Sequence, residues 1–268
     1  MPIEDKRSYS VIGAAMAVHR ELGPGLDEAF YHELMTRKLT TGGIAHEMKR
    51  RGQLIHRGIV ADEFEADLIV EQALIAEFKV LWGNFDPEHL LQVICYLKFW
   101  HLSAGLLFDF GKESLVHKRV PFVDRTLQGD AWAYPGMAQL PAETVSVMKV
   151  LTESFRALLA EHGLGYRDTT YRGLLCAELT YRGIECVRDP VTAVRGTDGY
   201  LGEARLGCLV LPGQCALLIT ALRDTHQAAD RAVLQTYLRH LDLPWGLHVN
   251  FGKIGLDCQF VKNANRFR

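Results

Sequence analysis

The sequence has almost no surplus of charge of either sign. Its 268 residues include 30 Lys and Arg against 32 Asp and Glu, a formal net charge of −2. This balance excludes the general positive field with which many proteins attract nucleic acid. A local basic group does exist at Lys49–Arg51, with His46, His56 and Arg57 near it. The pattern leaves open whether this group is a solvated turn or a phosphate contact.

Long hydrophobic runs are also missing. The longest stretch without a charge, Leu206–Leu222, is interrupted by Pro212-Gly213. It is shorter than the roughly 20 residues that a membrane-spanning helix needs. The segment Met1–Asp5 carries acids where a secretory signal needs bases. We therefore expect no membrane partner and a cytoplasmic protein.

Cysteine motifs are absent, although cysteines are not. The six cysteines, at positions 95, 176, 186, 208, 215 and 258, include no Cys-x-x-Cys pair and no zinc-type spacing. Five of them fall in the second half, where an iron–sulfur cluster is one interpretation and buried thiols are the favoured one. The absence of a disulfide framework indicates a reducing compartment.

The most informative feature that is present is a pair of short apolar runs carrying carboxylates. The runs Phe64–Val70 and Leu74–Val80 predict a β-hairpin. With a three-residue loop, Asp67 lies opposite Glu77, and Lys79 lies on the same face. Two carboxylates this close repel each other unless a proton or a cation intervenes. A divalent hard metal is a suitable cation.

Two alternatives to a metal site stay open at this point. A two-residue loop would pair Asp67 with Ala76 and separate the carboxylates. Even in the favourable register, Lys79 could simply neutralise Asp67 or Glu77 on a wet sheet face.

Around the hairpin, periodicity and turn residues predict a definite order of elements. After a leading helix, the order is helix, three strands, helix, strand. The predicted elements are a helix over 11–22, a helix from about Asp27 to Gly42, strands over 54–60, 64–70 and 74–80, a helix from Asp86 to about Trp100, and a strand over 105–110.

The second half of the chain repeats the first. Gly25-x-x-Glu28-x-x-Tyr31 matches Gly165-x-x-Asp168-x-x-Tyr171, and Tyr96–Lys112 matches Tyr237–Lys253 without a gap. A turn-rich segment separates the copies. The expected division is a domain at 1–121, a linker at 122–142 and a second domain at 143–268.

The repeat separates scaffold from chemistry. Tyr31 and Tyr96 persist in the second copy, but the polar cluster does not. Aligning the copies places Arg205 at Asp67, Ile219 at Glu77, Ala221 at Lys79 and Val233 at Gln92. Loss of the set as a unit indicates one functional site, retained in the first copy.

Three segments of residues 8–121 carry a family resemblance: Val18–Tyr31, Ala66–Lys79 and Gln92–Lys98. Together they resemble the bacterial proteins named after a Gly-x-x-Glu-x-x-Tyr motif, within the PD-(D/E)xK nuclease-like superfamily. The resemblance implies an α/β fold with a mixed central sheet flanked by helices. Two such domains are expected in tandem, the second degenerate.

The resemblance also implies a metal-dependent phosphodiesterase centre. In it, Asp67, Glu77 and the carbonyl of Phe78 would hold Mg²⁺ or Mn²⁺. Lys79 would orient the attacking water or neutralise charge on the phosphate. Glu28 would add an outer contact or serve a second metal.

Substrate contacts are implied for Gln92, Tyr96 and Lys98. Gln92 and Tyr96 are four residues apart, hence on one helix face, and resemble the Gln-x-x-x-Tyr element of RecB-type nucleases, which contacts the substrate backbone. Packing is the favoured role of Tyr31 and Tyr96, because both recur in the second copy. A structural role is favoured for His19.

The leading hypothesis is a metal-dependent DNA nuclease with one active centre, the second copy acting as scaffold or nucleic-acid grip. Its expected partners are nucleic acid, DNA in preference to RNA, and a second copy of the chain. The alternative is a catalytically inactive binding or regulatory module that recognises nucleic acid or protein on a nuclease-like fold.

Overall fold

The computed structural model describes residues 3–124, 132–133 and 142–263, so most of the predicted linker at 122–142 lies outside the described residues. The chain forms two compact units. The first comprises 1–54 and 63–123, and the second comprises 55–62 and 124–268. Residues 55–62 therefore belong, by their contacts, to the second unit.

The first unit packs helices against a five-stranded mixed sheet of order β1-β2-β3-β4-β5. Its elements are α1 (Ile3–Leu22), α2 (Glu28–Thr41), β1 (His46–His56), β2 (Ile59–Val70), β3 (Leu74–Lys79), α3 (Pro87–Phe99), β4 (Ala104–Asp109) and β5 (Val116–Pro121). The β3–β4 pair is parallel, whereas β2–β3 and β4–β5 are antiparallel. The predicted order of helix, three strands, helix and strand is confirmed, with β5 added.

One predicted element is wrong. Instead of a strand over 54–60, residues Arg57 and Gly58 form the turn between β1 and β2, with φ of 51° and 78°. A two-residue hairpin loop requires such positive φ values, and Gly58 adopts them without strain. In the sequence, the apolar residues before and after this turn are so close together that they resemble a single short strand.

The motif tyrosine of the first unit fastens the turn between α1 and α2. Tyr31 is fully buried and stacks on Phe110 with ring centroids 4.6 Å apart. Its hydroxyl donates to the carbonyl of Gly23 (2.8 Å) and accepts from the N–H of Leu26 (3.1 Å). The packing role favoured for Tyr31 agrees with these contacts, which fix where α2 begins.

The second unit contains a six-stranded sheet of order β6-β13-β12-β11-β10-β7 and a separate β8–β9 hairpin. Its elements are β6 (Trp132–Ala133), α4 (Ala142–His162), α5 (Asp168–Tyr181), β7 (Val187–Arg188), β8 (Val191–Gly196), β9 (Gly199–Arg205), β10 (Leu209–Leu211), β11 (Cys215–Ala221), α6 (Ala228–His240), β12 (Trp245–Phe251) and β13 (Leu256–Lys262).

The two units repeat one topology. β11 and β12 are parallel neighbours, as β3 and β4 are, and α6 connects them as α3 connects the first pair. The tyrosine contact recurs as well, since the Tyr171 hydroxyl donates to the carbonyl of Gly163 at 2.9 Å. The predicted tandem duplication is confirmed.

Within the described part of the chain, no helix combines the length and the apolar character needed to span a bilayer.

Candidate metal centre

The register of the β2–β3 hairpin brings the two carboxylates of the first unit together. Ile69 pairs with Ile75, which leaves a three-residue loop and sets Asp67 opposite Glu77 two positions further along. The predicted register is therefore confirmed, and the two-residue loop is excluded. The sheet buries both side chains, with Asp67 4% and Glu77 2% exposed.

Asp67 is held from three sides. Its Oδ2 accepts a 2.9 Å hydrogen bond from the N–H of Phe78, and its Oδ1 accepts one from the ammonium of Lys49. Partial burial works to lower the pKa of Lys49, but the hydrogen bond and charge of Asp67 outweigh it and raise that pKa. His32 Nε2 lies 3.7 Å from the same Oδ1. Asp67 is thus fixed in place beside a cation and an imidazole.

Glu77 is incompletely satisfied. Its Oε1 accepts hydrogen bonds from Lys79 Nζ and Gln92 Nε2, each at 2.7 Å. Among the residues that the structure describes, its buried Oε2 has no hydrogen-bond partner. Burial, and then the negative charge of Asp67, raises the pKa of Glu77 to about 7. A buried carboxylate oxygen without a donor has an unfilled place for a cation.

Helix α2 adds two further ligand atoms. Asp27 caps the helix by accepting from Ala29 N–H, which places Glu28 in the first turn. His32 lies one turn later, with its Nε2 3.2 Å from Glu28 Oε1. The ligand atoms of Glu28, His32 and Asp67 all lie within 4.8 Å of one another. Glu28 and His32 also border a surface cleft together with Lys49, so solvent and ligands reach this side of the centre.

His32 is the site residue that the sequence analysis missed. It is 7% exposed, its ring packs on Phe78 with centroids 4.6 Å apart, and its Nδ1 has no hydrogen-bond partner among the described residues. The sequence does contain a pattern that predicts its role. His32 follows Glu28 by four residues, which puts both side chains on one helix face.

The predicted substrate residues on α3 separate into two groups. Gln92 Nε2 bridges Glu77 Oε1 (2.7 Å) and the hydroxyl of Tyr96 (2.9 Å), so these two residues join the carboxylate cluster. Lys98 is 3% exposed, and its Nζ lies 6.0 Å from the centroid of the Phe122 ring. The structure thus does not bring Lys98 to the cluster.

The local basic group at Lys49–Arg51 is not a solvated turn. Lys49–Arg51 lies in β1 rather than in a turn. Lys49 contacts Asp67, and Arg51 contacts Glu65 at 2.6 Å. His19 has the favoured structural role, because its Nε2 lies 2.8 Å from the carbonyl oxygen of Lys112.

The residues present fit a hard divalent cation. Carboxylate oxygens come from Asp67, Glu77 and Glu28, and one imidazole nitrogen comes from His32. Oxygen-rich ligand sets suit Mg²⁺ and Mn²⁺. The orphaned Oε2 of Glu77 is the direct structural sign, since a carboxylate buried this deeply needs positive charge or a proton.

Strand register corrects the alignment of the second copy. Gly105 and Gly246 are equivalent, and they pair with Ile75 and Ala216 respectively. Counting along the paired strands from these two glycines identifies the residues of the second copy that are equivalent to Asp67, Glu77 and Lys79. Asp67, Glu77 and Lys79 correspond to Cys208, Leu218 and Thr220, not to Arg205, Ile219 and Ala221.

The misalignment had a local cause. Glu203–Leu206 resembles Glu65–Leu68 in sequence, but it ends the separate β8–β9 hairpin rather than entering the sheet. The conclusion drawn from the alignment stands, because Cys208, Leu218 and Thr220 supply no carboxylate.

In the second copy an internal ion pair replaces the ligand set. Counted from the motif tyrosine, Arg172 stands where the first copy has His32, and it contacts Asp168 (2.8 Å) and Asp189 (3.1 Å). Asp189 stands where the first copy has Lys49, and both adopt a φ near 50°. Burial, and then the charge of Asp189, raises the pKa of Cys208 to about 12. A guanidinium thus stands at the position of the His32 imidazole and pairs with two carboxylates of its own domain.

The comparison with known families agrees with this geometry. The family model of the PD-(D/E)XK nuclease superfamily matches residues 5–120 and 145–262. No match was found among curated proteins or among solved structures. The matched regions cover most of the chain and coincide with the two copies of the repeat. The chain therefore belongs to the PD-(D/E)XK nuclease superfamily, with two tandem domains of that fold.

Proposed function

We propose that the chain is a metal-dependent nuclease that hydrolyses phosphodiester bonds in DNA at the Asp67–Glu77–Lys79 cluster. The observation that carries the proposal is the buried Oε2 of Glu77 beside Asp67, which has no donor among the described residues, in a chain of this superfamily. The proposed division is an active domain at 1–121, a linker at 122–142 and a domain at 143–268 that acts as scaffold or nucleic-acid grip.

Asp67, Glu77 and the carbonyl of Phe78 are the residues that would hold Mg²⁺ or Mn²⁺. The N–H of Phe78 already fixes Asp67 Oδ2 at 2.9 Å, which orients that carboxylate. Glu28 and His32 add an outer contact from α2. When bound, such an ion polarises the phosphate and makes a water molecule nucleophilic at neutral pH.

Lys79 provides the electrostatic part of the chemistry. Its Nζ lies 2.7 Å from Glu77 Oε1 and its side chain is 17% exposed, so it can approach a phosphate without leaving the cluster. A preorganised ammonium in a half-buried site stabilises charge that develops on the phosphate oxygens.

Gln92 and Tyr96 form the proposed contact with the substrate backbone. Gln92 links the Tyr96 hydroxyl to Glu77, so a phosphate that contacts this pair is aligned with the carboxylates. The burial of Lys98 instead suits a packing role under α3.

The test is a combined binding and cleavage assay on the full chain. Calorimetry with Mn²⁺ should show binding that Asp67→Asn abolishes, and cleavage of linear, circular and structured DNA and RNA should be lost with it. The matched control is Cys208→Ser, which changes the equivalent residue of the second copy and should leave both unchanged. Binding heat that Asp67→Asn does not alter would refute the proposal.

A binding module without catalysis is the second candidate. It is favoured by the two lysines that already neutralise the carboxylates, Lys49 at Asp67 and Lys79 at Glu77, and by the net charge of −2. Glu77→Gln separates the two functions. A nuclease loses turnover and keeps or gains substrate affinity, whereas a binding module shows no turnover before the change and retains its partner after it.

A further inference from the structure

A second cluster of metal-ligand atoms lies in the second unit and shares no residue with the centre at Asp67. His56 Nδ1 lies 2.9 Å from His162 Nε2 and 3.3 Å from Glu161 Oε2. Glu161 Oε1 lies 3.7 Å from His162 Nε2. His56 is in the 55–62 segment that belongs to this unit, and Glu161 and His162 end α4.

We propose that His56, Glu161 and His162 form a binding site for a borderline transition metal of the Zn²⁺ class. Zinc bonds of about 2.0–2.1 Å in a tetrahedron place neighbouring ligand atoms about 3.3 Å apart. His56 Nδ1 lies close to this distance from its neighbours, at 2.9 Å from His162 Nε2 and 3.3 Å from Glu161 Oε2. With one ligand atom taken from each residue, the three atoms all lie within 4.8 Å of one another. Three protein ligands leave a fourth position for water or another donor.

The tautomer of His56 is set by a buried carboxylate behind it. Glu178 is 1% exposed, and its Oε2 lies 2.8 Å from His56 Nε2. Its carboxylate also accepts hydrogen bonds from Arg57 Nε (2.9 Å) and Arg182 Nε (2.8 Å). In the neutral tautomer with the proton on Nε2, His56 donates to Glu178, and its Nδ1 lone pair faces Glu161 and His162. An imidazole backed by a carboxylate in this way is the usual outer support of a zinc ligand.

The surrounding charges favour a cation. The guanidinium groups of Arg57 and Arg182 face three carboxylates, Glu153, Glu161 and Glu178. One negative charge is thus left without a full counter-charge while the histidines are neutral. Glu161 has 43% of its side chain exposed, so an ion can enter from solvent, whereas His56 is fully buried behind it.

The chemistry of the donors distinguishes this site from the first. Two imidazoles and one carboxylate suit Zn²⁺, whereas the oxygen-rich cluster at Asp67 suits Mg²⁺ or Mn²⁺. Bound metal would join the 55–62 segment to the end of α4 within the second unit. The inference does not depend on nuclease activity.

The test is titration of the full chain with Zn²⁺ by calorimetry, and with Co²⁺ by visible absorption. Glu161→Gln and His162→Gln should each remove one zinc equivalent or weaken it by more than about 10–100-fold, since that is the effect of losing only an outer-shell partner of a ligand. Glu161→Gln alters an exposed side chain and is expected to fold even if His162→Gln does not. The matched control is His240→Gln, another helix-terminal histidine of the same unit, which should bind zinc as the unaltered chain does.

Two further variants exclude other binding sites. Cys176→Ser should leave the cobalt spectrum without change, since the proposed donors are nitrogen and oxygen rather than thiolate. Asp67→Asn should retain the zinc equivalent even if it abolishes Mn²⁺ binding. The proposal is overturned if Glu161→Gln binds zinc like the unaltered chain, or if Cys176→Ser removes the equivalent. The His56–His162 contact is then only a hydrogen bond.

Discussion

At the scale of single residues, the first centre is a set of acids and bases that neutralise one another incompletely. Lys49 balances Asp67, and Lys79 with Gln92 satisfies one oxygen of Glu77. The other oxygen of Glu77 has no donor within the part of the chain that the structure describes. Charges in a half-buried site interact more strongly than on the surface. Mutation of each lysine can therefore show whether it serves as a counter-charge within the protein or acts on the substrate.

Removal of the Lys79 ammonium should slow cleavage without removing the metal ligands. We expect Lys79→Ala to lower the cleavage rate by about 10²–10³, the effect of losing one electrostatic donor, while Mn²⁺ binding persists because Asp67 and Glu77 remain. Single-turnover cleavage and calorimetry measure the two effects. Lys118→Ala, an exposed lysine of β5, is the control. A rate equal to that of the unaltered chain would make Lys79 a structural counter-charge only.

Cys176 should be unusually reactive near neutral pH. Its Sγ lies 3.0 Å from Cys186 Sγ, and the hydrogen bond from Cys186 lowers the pKa of Cys176 to about 6 and raises the pKa of Cys186. Alkylation by iodoacetamide, followed by mass spectrometry, should therefore rise from pH 5 to 7 with a midpoint near 6.

The sign of the accompanying stability effect follows from the lowered pKa. The pKa of Cys176 is lower in the folded state than in the unfolded state. The Cys176 thiolate therefore contributes fully to the free energy of unfolding above the unfolded pKa, and this contribution is lost as pH falls through about 6.

Cys186→Ala should move the midpoint of Cys176 alkylation to higher pH. Cys215→Ala should leave it unchanged, since that thiol is buried and its own pKa is raised by burial. A midpoint near 9 in the unaltered chain would contradict the contact.

At the scale of elements, a turn and a hairpin place the site. The α1–α2 turn determines where Glu28 and His32 stand, and the three-residue loop of the β2–β3 hairpin sets Asp67 against Glu77. The same turn recurs in the second unit around Tyr171. This recurrence shows that the tyrosine serves the fold rather than the chemistry.

Loss of the Tyr31 hydroxyl should therefore reduce stability and not catalysis. Tyr31→Phe removes the donor to the half-buried carbonyl of Gly23. We expect a cost of roughly 0.5–1.5 kcal/mol in the free energy of unfolding, the net value of one hydrogen bond. Tyr171→Phe should cost a similar amount, because its hydroxyl makes the same contact to Gly163. Urea unfolding measures both. Reduced cleavage by Tyr31→Phe at unchanged stability would instead assign the hydroxyl to the reaction.

At the scale of the whole molecule, the chain contains two domains and one set of candidate ligands at the equivalent strand positions. Cys208, Leu218 and Thr220 cannot replace Asp67, Glu77 and Lys79, and Arg172 makes an internal ion pair at the position of His32. One phosphodiester centre cleaves one strand per encounter.

A single chain should consequently nick duplex DNA or degrade single strands. Supercoiled plasmid should first be converted to open circles. The amount of linear product should rise with the square of protein concentration, because two chains must cleave opposite strands. Agarose electrophoresis over a concentration series measures this. Double-strand cleavage independent of concentration, by a chain shown to be monomeric, would indicate a centre in the second domain.

Features that depend on neighbours along the chain are predictable from the sequence. The β2–β3 hairpin, the Asp86 cap of α3 and the end of α1 at Gly23 follow from local periodicity and turn chemistry, and the tandem repeat follows from self-similarity. The Asp67–Glu77 pairing needed the structure as well, because periodicity alone left open whether two or three residues form the loop. The strand wrongly placed at 54–60 shows the limit, since a tight turn within an apolar run leaves little trace.

Tertiary structure alone decided which distant side chains meet. Lys49 and His32 reach Asp67 from β1 and α2, and His56 meets His162 from 106 residues away. Such contacts depend on how elements pack, which local patterns do not encode. The true equivalents of the cluster in the second copy likewise required the pairing of β10 and β11. A short resemblance between tetrapeptides carries less information than a register of hydrogen bonds across a sheet, because the register fixes every residue of both strands at once.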